Sequence, residues 1–281
     1  MNSIKLVICL FMAMFSLPYL AQTFQSGTRE IGYQIGTGYY LGDLNPTNPL
    51  KARNHIAQGG YYRHNINSRV GIRIQLMQAE IEAWDEDSKN AWAQNRNLHF
   101  RNKIMEFSVS GEINYIDFTM GDPGDRLTGY LTAGIAYFTH DPEAMDKYGN
   151  WHPLQPLGTE GQGWTFGLDP YKLNGIALPF GMGFKLNIGP AIAFQMEWGL
   201  RKTWTDYLDD VSTQYTNAVA LRQARGELAL ELADRIITLP DGLSSSQGLQ
   251  RGDPGLNDKY GFFLASLAFR VSKKPTSCWM Q

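Results

Sequence analysis

The stretch MEFSVSGEINY, residues 105–115, decides the fold of this chain. Its odd-numbered positions carry Met, Phe, Val, Gly, Ile and Tyr, whereas its even-numbered positions carry Glu, Ser, Ser, Glu and Asn. Side chains alternate between the two faces of a β-strand, so a period of two residues predicts a strand with one apolar and one polar face.

The same alternation recurs in seven further segments. Together with 105–115 they predict eight strands, of roughly the 9 to 11 residues that cross a bilayer at a tilt. The seven further segments are 30–41, 56–63, 72–76, 127–137, 176–186, 192–201 and 263–271.

The connections between these segments alternate strictly between short and long. The short ones are 64–69, 118–126 and 187–190, with turn residues such as Asp122-Pro123-Gly124-Asp125, and the long ones are 42–55, 84–102, 140–175 and 202–257. We therefore predict an all-β fold: an eight-stranded antiparallel transmembrane β-barrel with long external loops, short periplasmic turns and periplasmic N- and C-termini.

The two faces of the strands differ in charge. In the membrane form the apolar face contacts outer-membrane lipid, and the polar face encloses a paired charge network that fills a lumen too narrow for a channel. Alternation alone does not say which face is inside, so a soluble lipocalin-like barrel stays open as the alternative. The charges on the polar face are Arg73, Glu106, Glu112, Lys185, Glu197, Arg201 and Arg270.

The N-terminus has the features of an export signal. Lys5, the apolar run Leu6–Leu17 and Ala21 predict a cleaved signal peptide over residues 1–21, followed by the barrel over 22–281. Cys278 is the lone cysteine of that mature chain, and the formal charge of −2 argues against a nucleic-acid partner. Within the last long connection, residues 217–237 predict a helical insert that covers the barrel or contacts a partner.

Three loop segments are more particular than mere connections: GDLNP (42–46), LQPLGTEGQG (154–163) and RKTWTDYLDDVST (201–213). With the opening strand 30–44 and the patch YYRHN (61–65), they resemble the PorG-type outer-membrane barrel proteins of Bacteroidota, which belong to the type IX secretion and gliding machinery. The resemblance spans about 29–271, apart from the insert 217–253. It implies a barrel that contacts periplasmic ring or translocon proteins and has no catalytic residues, no cofactor and no small-molecule substrate.

We expect the partner-binding or structural residues within these loop motifs to be Gly42, Asp43, Asn45, Pro46, Gln155, Pro156, Gly158, Thr159, Glu160, Gly161, Arg201, Lys202, Asp206, Tyr207, Asp209 and Asp210.

For several of these residues, side-chain chemistry alone also suggests an interpretation. Asp43 and Asn45 suit an Asx-type turn. Asp206, Asp209 and Asp210 with Glu160 could ligate a hard cation such as Ca²⁺, but the absence of a dedicated calcium-loop spacing favours a loop network paired with Arg201 and Lys202. The tripeptide Arg251-Gly252-Asp253 looks like an adhesion motif, although a plain turn is the favoured interpretation.

An enzyme is disfavoured, because the sequence lacks a nucleophile elbow, a zinc-protease motif and a phosphate-binding glycine loop. A hydrolase site would need a serine, a histidine and an acidic residue to converge from distant loops. We therefore expect a non-enzymatic subunit of the type IX secretion machinery. The alternative is a small surface-exposed adhesin or ligand-binding outer-membrane barrel.

Overall fold

The computed structural model describes residues 27–46, 53 and 55–272. Eight long antiparallel strands form a closed barrel in which each strand pairs with its chain neighbour, and the first strand pairs with the last. The eight predicted strands are confirmed; the predicted leader and Cys278 lie outside the described residues. The barrel strands are β1 (Arg29–Leu41), β2 (Ile56–Asn65), β3 (Val70–Trp84), β4 (His99–Asn114), β5 (Leu127–Thr139), β8 (Asn174–Gly189), β9 (Ile192–Thr203) and β10 (Lys259–Arg270).

The long connections contain further elements that the alternation did not predict. A short hairpin, β6 (Pro142–Met145) and β7 (Trp151–Pro153), pairs with the beginning of β4 through β6, and single 3-10 turns form at Asp85–Asp87 and Gln155–Leu157. The helices are α1 (Ala91–Arg96), α2 (Ala218–Arg225) and α3 (Glu227–Ala233). No helix among the described residues is long and apolar enough to cross a membrane.

The predicted helical insert over 217–237 is interrupted. Gly226 has φ 89° and ψ 179°, which an α-helix does not allow, so α2 ends and α3 begins at this residue. Asn217 caps α2 by accepting a hydrogen bond from the backbone N–H of Ala220 at 2.9 Å.

The apolar face of the strands points away from the barrel. Leu131 and Met105, for example, expose 62% and 61% of their surface. Rows of exposed Ile, Leu, Phe and Met surround the barrel, and only an apolar solvent stabilises such a band. The alternative of a soluble barrel is therefore wrong, because the apolar face of this part of the strands does not point inward. The chain has the fold of a transmembrane β-barrel.

This apolar band ends partway along β3, where the pattern changes phase. Ile72, Ile74 and Leu76 point outward, but the following outward residues are Gln78, Glu80 and Glu82, while Met77, Ala79 and Ile81 are buried inside. Strand β4 changes phase at the paired position, since Met105 lies opposite Gln78 and Ile104 turns inward. Above this level the barrel is built like a soluble one, with an apolar interior and a polar wall.

Below that level the lumen is filled by a balanced charge network. Glu112 lies at its centre, 2.9 Å from Arg63, 3.2 Å from Arg73 and 2.7 Å from Lys185. Of the seven charges predicted to face the lumen, six do; Arg270 instead lies at the end with the short turns, where it donates to the backbone oxygens of Met120 and Pro190. The buried charges between the strands are Glu30, Glu106, Glu112, Glu197, Arg63, Arg73, Lys185 and Arg201.

The end of the barrel with the short turns is closed as well. The turn between β4 and β5 folds back so that Phe118 and Met120 are buried against Tyr61. In the same turn Asp125 accepts a hydrogen bond from the backbone N–H of Thr119 at 2.7 Å. The described residues therefore fill the barrel from this end to the level of the phase change.

A charge on the exposed band should be costly only where the band is deepest in lipid. Leu131→Arg, in the middle of the outward row of β5, is expected to lower the free energy of unfolding by about 2–4 kcal/mol. Gln78→Arg, at the edge of the band, is the matched control and should cost about 0–1 kcal/mol. Urea unfolding of the barrel in lipid vesicles measures both, and equal small effects would contradict the membrane assignment.

Candidate functional site

The four long connections, 42–55, 85–98, 140–173 and 204–258, fold together over one end of the barrel. We call their described residues the cap. Its apolar contacts continue the upper core of the barrel, with Leu208, Val211 and Leu232 packed in one cluster with Phe100 and Tyr260. The cap is thus part of the folded structure, and its polar contacts define its shape.

Arg96, at the end of α1, ties three of the loops together. Its guanidinium makes a bidentate pair with Asp85 at 2.7 and 2.8 Å. It also donates to the backbone oxygen of Arg251 at 2.6 Å and to that of Asp43 at 3.0 Å. Only 2% of the surface of Arg96 is exposed, so these bonds form away from bulk water.

Arg251 is the second buried arginine of the cap and brings in the third long loop. It donates to Glu160 at 2.8 Å, to the backbone oxygen of Asp210, and to that of Ala233 at 3.2 Å, where α3 ends. Glu160 also accepts hydrogen bonds from the backbone N–H groups of Ser212 at 2.9 Å and Thr213 at 3.0 Å. Arg96 and Arg251 together therefore join all four loops.

Asp210 and Asp209, though adjacent, serve different contacts. Asp210 accepts hydrogen bonds from the Thr159 hydroxyl at 2.5 Å and the Tyr171 hydroxyl at 2.7 Å, and it lies 3.4 Å from Arg251. Its φ of 65° is a left-handed conformation, which turns the chain between the two carboxylates.

Asp209 faces the barrel instead. The Tyr40 hydroxyl lies 2.5 Å from Asp209 and 2.8 Å from Asp258, so one phenol bridges two buried carboxyl groups. Burial raises the pKa of both Asp209 and Asp258 well above the usual value, and the neighbouring negative charge raises it further. Because the phenol has a single proton, it can donate to one of the two carboxyl groups and accept from the other only when that one is protonated.

The motif around 42–46 forms a tight turn by the backbone. Gly42 and Asn45 exchange backbone hydrogen bonds of 3.1 and 3.2 Å, and a side chain on Gly42 would collide with Asp258 and Tyr40. The Asn45 side chain donates to the backbone oxygen of Tyr40 at 2.9 Å, and the Asp43 carboxylate accepts from the backbone N–H of Asp253 at 3.1 Å. The motif thus fixes the first loop to the last one.

The remaining predicted residues of the loops either make contacts within the cap or lie on its surface. Gln155 donates to the backbone oxygen of Tyr171 at 3.1 Å, Gly158 and Gly161 have positive φ, and the Tyr207 ring stacks on Tyr171 with centroids 4.6 Å apart. Pro156 and Pro46 lie on the surface. These residues, with Asp43, Thr159, Glu160, Asp209 and Asp210, belong to the cap.

Arg201 and Lys202 are not part of the cap network. The prediction that these two residues pair with the acidic residues of the loops is therefore wrong. Arg201 lies inside the barrel, 3.0 Å from Glu106, and Lys202 is exposed on the outer wall. The cation that neutralises the acidic residues of the cap is Arg251, for which the sequence analysis predicted only a turn. Because Arg251 is 1% exposed, the tripeptide 251–253 is not displayed for adhesion.

Asp206 is the one acidic residue of its motif without a hydrogen-bond partner for either carboxylate oxygen among the described residues. Burial raises its pKa to about 7; the nearby Ser212 side chain lowers it somewhat, and the negative charges of Asp43 and Glu160 raise it further. Burial likewise raises the pKa of Asp43 to about 6. Of the four carboxylates considered for a hard cation, Glu160 and Asp210 share Arg251, Asp209 contacts Tyr40, and Asp206 makes no hydrogen bond among the described residues.

The described histidine rings contact groups other than serine hydroxyls. His152 pairs with Asp146 at 2.8 Å, and the His140 ring contacts the backbone oxygen of Lys172 at 3.1 Å. His99 stacks on Trp84 with centroids 4.0 Å apart. Within residues 27–46, 53 and 55–272, no serine hydroxyl is hydrogen-bonded to a histidine ring.

Residues 5–151 match a family model described as a domain of unknown function, DUF6089. The match covers just over half of the 281 residues, so the chain belongs to this family. No curated protein matches the sequence.

Solved structures of similar architecture are outer-membrane barrels. The Neisserial surface protein A is 8% identical, with a TM-score of 0.43, over 88% of this chain and 99% of that chain. The attachment invasion locus protein Ail of Yersinia pestis, solved with the heparin analogue sucrose octasulfate, is 9% identical, with a TM-score of 0.40, over 87% and 99%. OprG of Pseudomonas aeruginosa is 9% identical, with a TM-score of 0.40, over 90% and 99%.

Removal of the second buried arginine should loosen the cap and leave the barrel intact. Arg251→Ala leaves Glu160 and Asp210 buried without a cation, which costs about 3–5 kcal/mol when one partner of a buried pair is removed. Amide hydrogen exchange in detergent should show the loss of protection over 204–216 and 226–234. Arg222→Ala, which removes an exposed pair with Glu227, is the control, and equal effects of both variants would contradict this role.

The cap should also become less stable as the pH rises. A carboxyl group whose pKa is higher in the folded than in the unfolded chain binds more protons when folded, so its contribution is complete below about pH 4 and is lost between about 4 and 7. Hydrogen exchange over 204–216, corrected for intrinsic rates, should show more protection at pH 5 than at pH 8. Asp206→Asn should reduce the difference, and protection that rises with pH would contradict it.

Proposed function

We propose that this protein is a non-enzymatic outer-membrane barrel that presents its cap as a rigid surface for another protein of the type IX secretion machinery. The observation that carries the proposal is the pair of buried arginines, Arg96 and Arg251, which fix all four loops over a filled barrel. A surface whose shape is fixed before binding loses little conformational entropy on association. The folded cap thus suits a constant structural contact.

The filled lumen argues against transport through the barrel. Arg63, Lys185 and Glu112 are buried and joined by ion pairs of 2.7–2.9 Å, so passage would require several buried pairs to separate. An eight-stranded barrel is also only wide enough for its own side chains. A structural or binding role remains.

The type IX assignment rests on the motifs that resemble PorG-type proteins. Residues of the first two motifs and most of the third meet in the cap, where Asp43, Glu160 and Asp210 make contacts between loops. These contacts give a physical reason why the three motifs occur together. In an outer-membrane barrel with short periplasmic turns, the N- and C-termini of the barrel also face the periplasm, and the cap faces the outside of the cell.

Two surfaces could meet the machinery, and a matched pair of variants separates them. Phe166, in the third long loop, is fully exposed, and Phe166→Asp would disturb a partner on the cap. Arg126, exposed beside the short turn 122–125, would disturb a periplasmic ring partner when changed to Glu. Neither side chain is buried, so both variants should keep the fold.

The test is gentle solubilisation from native membranes through a C-terminal tag, followed by mass spectrometry of the co-purified proteins. We expect ring or translocon proteins with the unchanged chain, and loss of one of them in Phe166→Asp but not in Arg126→Glu. Loss in Arg126→Glu with retention in Phe166→Asp would overturn the cap as the contact surface and favour the short turns instead. Recovery of the barrel without any secretion protein would overturn the type IX proposal.

The exposed aromatic ring of Phe166 also favours a second candidate, a small surface adhesin or ligand-binding barrel. In that case the unchanged chain purifies without secretion proteins, and Phe166→Asp weakens the attachment of cells to a surface or ligand. Arg126→Glu should have no effect on attachment. Co-purification of secretion proteins with the unchanged chain therefore decides between the two candidates, and the two variants locate the surface that is used.

A further inference from the structure

The outer wall of the barrel carries a cluster of one imidazole and two carboxylates, away from the cap network. His55 precedes β2, while Glu80 and Glu82 lie on the neighbouring strand β3. Glu80 and Glu82 are two residues apart, so both point to the same outer face of the sheet. They lie on the polar part of the wall, above the level at which Leu76 ends the apolar row.

The ligand atoms of the three side chains are already close. Nδ1 of His55 lies 3.1 Å from Oε1 of Glu80, and Nε2 lies 2.6 Å from Oε2 of Glu82. One ligand atom from each residue can be chosen so that all three lie within 4.8 Å of one another. Among the described residues, this is the group of histidine and acidic side chains with the spacing of a metal site.

The backbone and a neighbouring ring hold the ligands in place. The backbone oxygen of His55 accepts hydrogen bonds from the N–H of Gly38 at 3.1 Å and the hydroxyl of Thr37 at 3.2 Å. Glu82 accepts a hydrogen bond from the indole N–H of Trp84, and only 9% of its side chain is exposed. The contact of Trp84 with Glu82 is of the kind that orients metal ligands in proteins, whereas the backbone contacts fix the position of residue 55 beside β1.

We propose that His55, Glu80 and Glu82 form a binding site for a divalent transition-metal ion of the zinc type on the outer wall of the barrel. One nitrogen and two carboxylate oxygens are ligands that Zn²⁺ accepts, and three protein ligands leave a position for water or a further donor. Calcium, in contrast, takes six to eight oxygen ligands and does not favour an imidazole. Without a metal, both carboxylate contacts can be hydrogen bonds only when both ring nitrogens carry protons.

Arg53 is a competing cation beside the site. Its guanidinium lies 3.7 Å from Glu82, but it lies closer to Glu86, at 2.6 Å, and to Asp87, at 2.8 Å. It also lies over the ring of Trp84, 4.3 Å from its centroid. Arg53 therefore has its own partners and leaves the two carboxylates able to accept the metal.

The test is isothermal titration calorimetry of the purified barrel in detergent with ZnCl₂. The protein should carry no histidine tag and should have Cys278→Ser, since a free thiol would itself bind zinc. We expect one saturable site that His55→Ala weakens by at least about tenfold, as loss of a ligand should cost no less than loss of an outer contact. Glu80→Gln, which keeps the side-chain shape, should weaken it as well.

The matched control is His152→Ala, because His152 pairs with Asp146 at 2.8 Å without a third ligand. This variant should bind zinc like the unchanged chain, and circular dichroism should show that all variants keep the strand content. Absence of saturable binding would overturn the proposal. Binding that His55→Ala and Glu80→Gln leave unchanged would overturn it as well.

Discussion

The pairing of β1 with β10 closes the sheet, and the rest of the structure depends on this closure. In a bilayer every backbone N–H and C=O group must find a partner within the protein, and only a closed sheet provides this for strands. Closure also encloses the polar face of the strands in a narrow lumen. The charges on that face must then neutralise one another, as Glu112 does with Arg63, Arg73 and Lys185.

The same requirement shapes the cap, where carboxyl groups outnumber their basic partners. Glu160 and Asp210 share Arg251, whereas Asp209 and Asp258 share only the hydroxyl of Tyr40, and Asp206 has no basic partner among the described residues. Buried carboxyl groups without a cation hold their protons, so the raised pKa values follow from the loop arrangement. The cap is therefore a rigid element whose stability depends on pH, while the charge network of the barrel is internally compensated.

The change of phase in β3 and β4 was not predicted, although the alternation that precedes it in β3 was correct. The alternation that predicted the third strand covers only 72–76, yet β3 continues to Trp84, where the long connection was expected to begin. Beyond Leu76 the apolar residues occupy the other face, because the wall has left the lipid and the interior has become the apolar side. The change is visible in the sequence, since Ile72, Ile74 and Leu76 give way to Met77, Ala79 and Ile81. The change of the apolar face can be interpreted only when the position of the membrane along the strands is known.

The sequence by itself determined the strands, their number and the alternation of short and long connections, because a period of two residues is a local property of the chain. It also marked the loop motifs from which the cap is built. Only the tertiary structure decided which face is lipid-facing, that Arg201 lies inside the barrel, and that Arg96 and Arg251 bind the loops together. It also brought His55 to Glu80 and Glu82. These contacts join residues distant in sequence, up to 155 positions for Arg96 and Arg251, and no local pattern records such a pairing.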